Sequence, residues 1–407
     1  MRKVSLWRRI GTRGQLIVVF VLLLALGASI FAIIQSESSQ RSSSGNLPFV
    51  LLPPTPAPAP LPMPEIILPD LDDIFTDGFF DSRPISLLTG FHVEEEDVVR
   101  RPIAVVINNS FGAHPQSGIA YADVIYEVLA EGTTTRLVAI FQSSVPEKIG
   151  PVRSTRDYFV DFALNHDAFF VHHGGSPSGY DRVRRILGVN AIDGMRFEGT
   201  VFWRDRSFPY WASNTGQRSV EHSSFTGKQE LFEHIESMDI RGYFNGDVNQ
   251  NPGYGFNFGD VPIGQASIHS DISNVVIPFA NATYTSFTMD YDTGHYFVSH
   301  ARGPWLDAID MAHVKVANVL VQHTGIWVVD NEGRRSVTTV GSGTGYLVRD
   351  GLVFNVRWEK SSHASPMQWF FEDGTPLVLA SGRTWINVLQ TSAQPEFHSE
   401  AGAQHGA

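Results

Sequence analysis

Beyond residue 90 the apolar positions fall into two textures. Short unbroken runs at 103–108 (IAVVIN), 124–129 (VIYEVL), 137–142 (LVAIFQ) and 168–172 (AFFVH) are rich in branched and aromatic residues and bounded by turn residues. Such runs predict strands. Between and after them the period lengthens to that of a helix. One helix is expected after Ser154, with Phe159, Phe162 and Ala163 on its core face and Asp157 at the capping-box spacing. A second should follow Ser178, with Val183, Ile186 and Leu187 inward, and a third should cover 226–238. Strands interleaved with helices predict a layered α/β domain over 90–265.

After Gln265 the helical period disappears. The runs 275–279, 284–291, 295–300, 316–323, 326–329, 345–348, 352–358 and 385–389 read as strands divided by Gly, Asp and Asn turns. The expected fold class is therefore α+β, an N-terminal layered α/β sheet domain followed by a mostly antiparallel β domain over 266–392. The glycine run 341–345 (GSGTG) is read as a turn, because it lacks the lysine and following helix of a phosphate loop. No cofactor is implied. Residues 393–407 read as a small, polar, disordered tail.

The pattern ahead of residue 90 differs again. Nineteen residues, 16–34, carry no charge, and at about 1.5 Å per residue they match a bilayer core of roughly 30 Å. Arg2, Lys3, Arg8, Arg9 and Arg13 precede them without an acid, which keeps a 1–15 basic tail in the cytoplasm and places the rest outside. The expectation is one transmembrane helix that anchors the chain in the cell membrane. A cleaved signal peptide is the rival reading, from the small residues Ala25, Gly27, Ala28 and Ser29. Residues 35–89 read as a disordered linker, serine-rich at 36–44 and then proline-rich at 53–64, where twelve residues of polyproline II at about 3.1 Å each span roughly 37 Å. The acidic stretch 70–81 has no calcium-loop spacing, since Ile74 stands where a ligand is needed.

Composition narrows the chemistry. The 407 residues hold 43% hydrophobic side chains and no cysteine, which permits real cores and excludes disulfides, thiolate metal sites and a thiol nucleophile. A net charge of −12, with the basic residues concentrated in the leader, leaves no broad phosphate-neutralising surface, so nucleic acid is not an expected partner.

Three segments carry candidate chemistry. Residues 150–158 (GPVRSTRDY) set Arg153 and Arg156 at the start of a helix, where the backbone already carries partial positive charge. A bound anion would resolve that arrangement. So would internal pairing, of Arg153 with Asp157 and of Arg156 with Glu127 or Glu131. Residues 172–181 (HHGGSPSGYD) run from a strand through Gly174, Gly175 and Ser176 into a helix, the place where α/β sheets hold ligands. Ser176 or Ser178 is either a nucleophile or a cap. His172 and His173 point to opposite faces of a strand, so no metal site is expected. The stretch 202–225 adds Trp203, Arg204, Asp205, Glu221 and His222, a mixture of rings and charges suited to a sugar or peptide groove.

Several blocks, 101–109 (RPIAVVINN), 114–118 (HPQSG), 122–132 (ADVIYEVLAEG), 148–153 (KIGPVR), 173–176 (HGGS), Trp203 with Arg204, 341–343 (GSG), Trp358 and 382–386 (GRTWI), together resemble the YerB-like bacterial lipoprotein family. The resemblance spans 90–392 and implies a two-domain extracytoplasmic protein of Gram-positive-like bacteria, from a family classed as of unknown function. Those lipoproteins carry a cysteine for lipid attachment, and this chain has none, so the helix must serve as the anchor.

The expected function is that of a membrane-anchored cell-envelope protein that binds an anionic component, a wall polymer or a peptide carboxylate, through Arg153, Arg156, Gly174, Gly175, Ser176, Trp203 and Arg204. A glycan or phosphodiester hydrolase or transferase, with His173 or His222 as general base and Asp157, Glu127 or Glu221 as partner, is a second expectation. A protein-interaction scaffold, in which the arginines serve only internal ion pairs, is the third.

Overall fold

The computed structural model describes residues 81–207, 217–238 and 254–399. The expected membrane helix at 16–34, the basic tail and most of the linker lie outside the described residues, among which no helix is long and apolar enough to cross a membrane. The end of the stretch read as linker is packed: Ser86, Leu88 and Thr89 are buried.

The framework is one ten-stranded mixed sheet. Its strands are β1 (Ile103–Asn108), β2 (Val124–Glu131), β3 (Thr134–Phe141), β4 (Phe169–His172) and β5 (Ala191–Asp193) from the first half of the chain. A second sheet follows in sequence, with β6 (Ile272–Ala280), β7 (Thr283–Met289) and β8 (Tyr296–His300). The chain then returns to the large sheet through β9 (Asn318–Thr324), β10 (Gly341–Arg349), β11 (Leu352–Lys360), β12 (Gln368–Phe371) and β13 (Thr384–Gln390). A last strand, β14 (Glu396–Ser399), pairs antiparallel with β6. The order across the large sheet is β12, β11, β10, β9, β13, β2, β3, β1, β4, β5.

Strands from both sides of residue 265 thus meet in one sheet, with β13 parallel to β2 in the register Glu127↔Asn387. The textures in the sequence have a physical origin in burial. All six residues of β1 and all seven of β9 are buried, because the large sheet is covered on both faces, and such strands read as unbroken apolar runs. On one face lie helix α1 (Asp157–Leu164), with Tyr158, Phe159, Phe162 and Ala163 inward, and the rings of Trp358 and Trp369. On the other face lies the second sheet, through Val275, Ile277, Phe287, Tyr296 and Val298, with Leu231 of a helix at Lys228–Ser237. Residues in β6 alternate between core and surface, the period of a strand buried on one side only.

Two local expectations change. The glycine run 341–345 is the first half of β10, paired with β11 from Gly341↔Lys360 onward. It reads as a turn because glycine is rare in strands, but at Gly343 and Gly345 a side chain would collide with Trp358 and with the Val321 carbonyl of the neighbouring strands. Ser154 is not the cap of α1, which begins at Asp157 with Arg156 in the cap position and no side-chain cap bond. Residues 396–399 are polar and still form a strand, since an edge strand needs only backbone pairing and one apolar anchor, Phe397 against the core.

Candidate functional site

Because β1, β2, β4 and β5 run in one direction, their carboxyl ends collect Asn108, Glu131, His172 and Asp193 along one edge of the sheet. That edge is where a layered α/β sheet holds ligands, and the segments singled out in the sequence reach it. The chain carrying Arg153 is fixed by backbone: Arg153 N–H donates to Val106 O at 2.8 Å, and His173 N–H to Arg153 O at 3.0 Å.

The two arginines part ways. Arg156 is buried and paired with Glu131, which also receives Arg136 Nη2 at 2.8 Å and 2.9 Å. Its second guanidinium nitrogen donates to Thr155 O at 2.6 Å. Arg153 does not meet Asp157, whose carboxylate faces Arg182 at 3.9 Å. Among the described residues the Arg153 guanidinium has no hydrogen bond or ion pair. Burial holds its pKa below the ordinary arginine value, the Glu221 charge works against that fall, and the nearby Arg204 charge adds to it.

Around Arg153 stand two histidines with engaged rings. His173 Nδ1 lies 2.7 Å from Ser224 Oγ and its Nε2 lies 3.0 Å from Arg204 Nη2. Arginine can only donate, so Nε2 accepts and the Nδ1–H donates to the serine. Arg204 is itself held by a two-pronged pair with Glu198, at 2.6 Å and 2.9 Å, and by Val220 O at 2.9 Å. His222 Nδ1 lies 2.7 Å from Asn108 Nδ2. Burial lowers the pKa of both histidines, so both stay neutral at neutral pH. Glu221 is exposed next to His222, and its pKa is lowered by backbone and Ser219 hydrogen bonds and by the His222 and Arg153 charges.

The glycine stretch has structural roles that the sequence left open. Ser176 caps helix α2 (Pro177–Arg182) by accepting the Gly179 N–H at 3.1 Å. At Gly175 a Cβ would stand 2.6 Å from the Thr155 methyl, so glycine is required where the strand end passes the arginine segment. Gly174 donates to Asp193 Oδ1 at 2.9 Å. His172 is buried beside Phe170 and Tyr180. Trp203 and Arg204 form a short strand against Ser224–Phe225. The structure therefore brings Arg153, His173, Arg204, Glu221 and His222 together, and places Arg156, Asp157, Gly175 and Ser176 in the framework.

Next to this edge lies a cleft of about 320 Å3 between the two sheets. The corner 108–110 joins the two places: Asn108 meets His222, Ser110 lines the cleft, and Asn109 Nδ2 donates to Glu127 Oε1 at 3.2 Å. Glu127 is at the floor. Its Oε1 also accepts Thr135 Oγ1 at 2.8 Å, and its Oε2 accepts Thr285 Oγ1 at 2.8 Å and Trp385 Nε1 at 3.1 Å. Behind it Trp305 Nε1 donates to Gln116 Oε1 at 3.0 Å, and Gln116 Nε2 donates to Asn109 Oδ1 at 3.0 Å. His114 and His300 stand edge to face, 4.5 Å between centroids. The sequence reading named Glu127 and missed His114, Gln116, Thr285, His300 and Arg302. These come from segments about 170 residues or more apart, and the HPQSG block at 114–118 was the one local signal.

Burial raises the Glu127 pKa to about 7 against the hydrogen bonds from Thr285, Thr135 and Trp385 that oppose the rise. Its ordinary value is 4.5, so folding takes up a proton between those two pH values and the raised pKa costs stability as pH rises through about 7. The full cost above that pH is about 3 kcal/mol. Glu127→Gln removes this dependence. Urea unfolding of both proteins at pH 5 and pH 8 is expected to show wild type losing about 2.5 kcal/mol relative to the variant, part of the cost being already present at pH 5. Parallel pH dependences would refute the raised pKa.

Among the described residues no group of three or more His, Asp or Glu is placed to hold a metal ion.

Comparison with known proteins places these segments in context. Residues 88–241 match the N-terminal domain, and 275–386 the C-terminal domain, of the family described as protein of unknown function DUF3048. The chain is 32% identical over 312 residues to YerB of Bacillus subtilis (strain 168), a protein named as a lipoprotein, covering 74% of this chain and 85% of that one. It also matches the crystal structure of the YerB protein from Bacillus subtilis with a TM-score of 0.65 and 29% identity, over 77% of this chain and 100% of that chain.

Proposed function

The chain belongs to the DUF3048 family, and on that footing we propose that it is an extracytoplasmic cell-envelope protein that captures an anionic group at the carboxyl edge of its large sheet. The relative named as a lipoprotein supports the envelope location. The apolar 16–34 segment, in a chain with no cysteine to lipidate, supports a helical anchor in place of a lipid.

The observation that carries the binding role is Arg153. Its guanidinium is partly buried, has no hydrogen-bonded or ion-paired acceptor among the described residues, and feels the Glu221 charge in its favour and the charges of Arg204 and Arg136 against it. Removing a charge from water without a partner is costly. An incoming carboxylate or phosphate supplies that partner. The expected ligand is a wall polymer or a peptide carboxylate, and the overall negative charge of the chain means that it is held by this local pocket and not by long-range attraction.

A charge-assisted contact of this kind contributes about 1.5–3 kcal/mol, or roughly ten- to a hundredfold in affinity. Arg153→Glu in the full chain is expected to lower retention on purified bacterial wall material by at least about tenfold while the circular dichroism spectrum is kept. Undiminished retention by a folded Arg153→Glu protein would sink the proposal.

The hydrolase reading draws no support from the geometry. The ring nitrogens of His173 are engaged by Ser224 and Arg204, and His222 Nδ1 faces an amide. Among the described residues neither ring has a carboxylate within hydrogen-bond distance, the nearest to His173 being Glu198 at 3.7 Å.

A further inference from the structure

We propose that the cleft above Glu127 is a second binding site, distinct from the Arg153 edge, and that it takes a neutral saccharide of one or two rings. The cleft draws its walls from both family segments, the end of β1 and the β2–β3 hairpin on one side and the β6–β7 hairpin with the end of β8 on the other. Its volume of about 320 Å3 is at the small end of ligand pockets, roughly 300–1,000 Å3.

Charge selects against ions. Glu127 at the floor, which ionises at about pH 7, repels an anion once it is charged, and the Arg302 guanidinium at the rim repels a cation. The four donors on the two Glu127 oxygens fix that carboxylate in place. The two histidines add no charge, since burial pushes His114 down to about 3 and His300 to about 4. Arg302 N–H donates to His300 Nδ1 at 3.1 Å, which puts the single proton of the neutral ring on Nε2 as a donor.

The remaining surface has the two chemistries that a sugar ring needs. Phe111 and Tyr284 line the cleft with exposed rings, and such rings cover the C–H face of a pyranose. Arg302 lies over the Phe111 ring at 4.2 Å, so ring and guanidinium are held as one platform. Ser110, Thr134 and Thr283 also line the cleft, and each hydroxyl is both donor and acceptor, as sugar hydroxyls are. A ligand that is apolar on one face and uncharged but densely hydroxylated around its edge satisfies all of these groups together.

The test is saturation-transfer NMR on the full chain, kept in solution with a sugar-free zwitterionic detergent, using glucose, N-acetylglucosamine and its β-1,4-linked dimer as probes. Transfer to the ring C–H protons of at least one probe is expected at millimolar concentration. Phe111→Ala and Tyr284→Ala, both at exposed positions, are each expected to weaken that binding about tenfold, equal to about 1.4 kcal/mol, with the melting temperature kept. Absence of transfer to every probe, or binding that persists unchanged in the Phe111→Ala, Tyr284→Ala double variant, would overturn the proposal.

Discussion

Replacing Gly345 by alanine is expected to prevent the native fold. Gly345 lies in β10 opposite Gln322 of β9, and a Cβ built on it would stand 1.9 Å from the Val321 carbonyl oxygen. That oxygen is backbone and cannot rotate away. The strands must separate by more than an ångström, and β9 is an interior strand whose seven residues are all buried. Separation would loosen the packing of Leu320 and Leu347 on one face and Val319, Val321 and Val348 on the other. Overpacking of an ordinary core costs about 1–3 kcal/mol, and here a backbone collision adds lost strand pairing, so about 5 kcal/mol or more is expected. The measurement is soluble yield with thermal unfolding. A Gly345→Ala protein that melts within about 5 °C of wild type would contradict the packing described for β9 and β10.

The second large effect is at Glu131. This carboxylate sits between Arg136 and Arg156, whose side chains are 7% and 5% exposed. Glu131→Ala would leave two buried guanidiniums without the carboxylate that they share. Breaking a buried pair from one side costs about 3–5 kcal/mol, because the stranded charge cannot be rehydrated without unfolding its surroundings. Arg156→Met in the same protein removes one of the stranded charges and is expected to recover about half of the loss. The four proteins of this double-mutant cycle, compared by urea unfolding, should give a coupling energy above about 1 kcal/mol. Additive losses would show that Arg156 does not depend on Glu131.

Burial explains which parts of this architecture are visible in the chain. Strand β1 is read with its structural bounds because both faces are covered and every residue is apolar or at the sheet end. In contrast β5, β12 and β14 are short edge or near-edge strands with mixed residues, and their pairing partners, not their composition, make them strands. The glycines of 341–345 carry a turn signal, while the contact that requires Gly345 comes from β9, which no local pattern encodes. At the site, the charge paradox of Arg153 and Arg156 is legible as a paradox only. Deciding that Arg156 is ion-paired and Arg153 is not depends on where β2 places Glu131. The Glu127 cleft is less legible still, since Asn109, Thr285, Trp305 and Trp385 meet through tertiary packing.

The central claim is that Arg153 is an anion receptor, in contrast to the buried Arg136 and Arg156, which share the Glu131 carboxylate. The most direct measurement is the NMR resonance of the Arg153 Nε–H group during titration of the full chain with inorganic phosphate and, separately, with acetate. A saturable shift of Arg153 that leaves Arg156 unmoved is the predicted result. An Arg153 resonance that stays fixed through tens of millimolar of both anions, in a protein that still binds wall material, would contradict it.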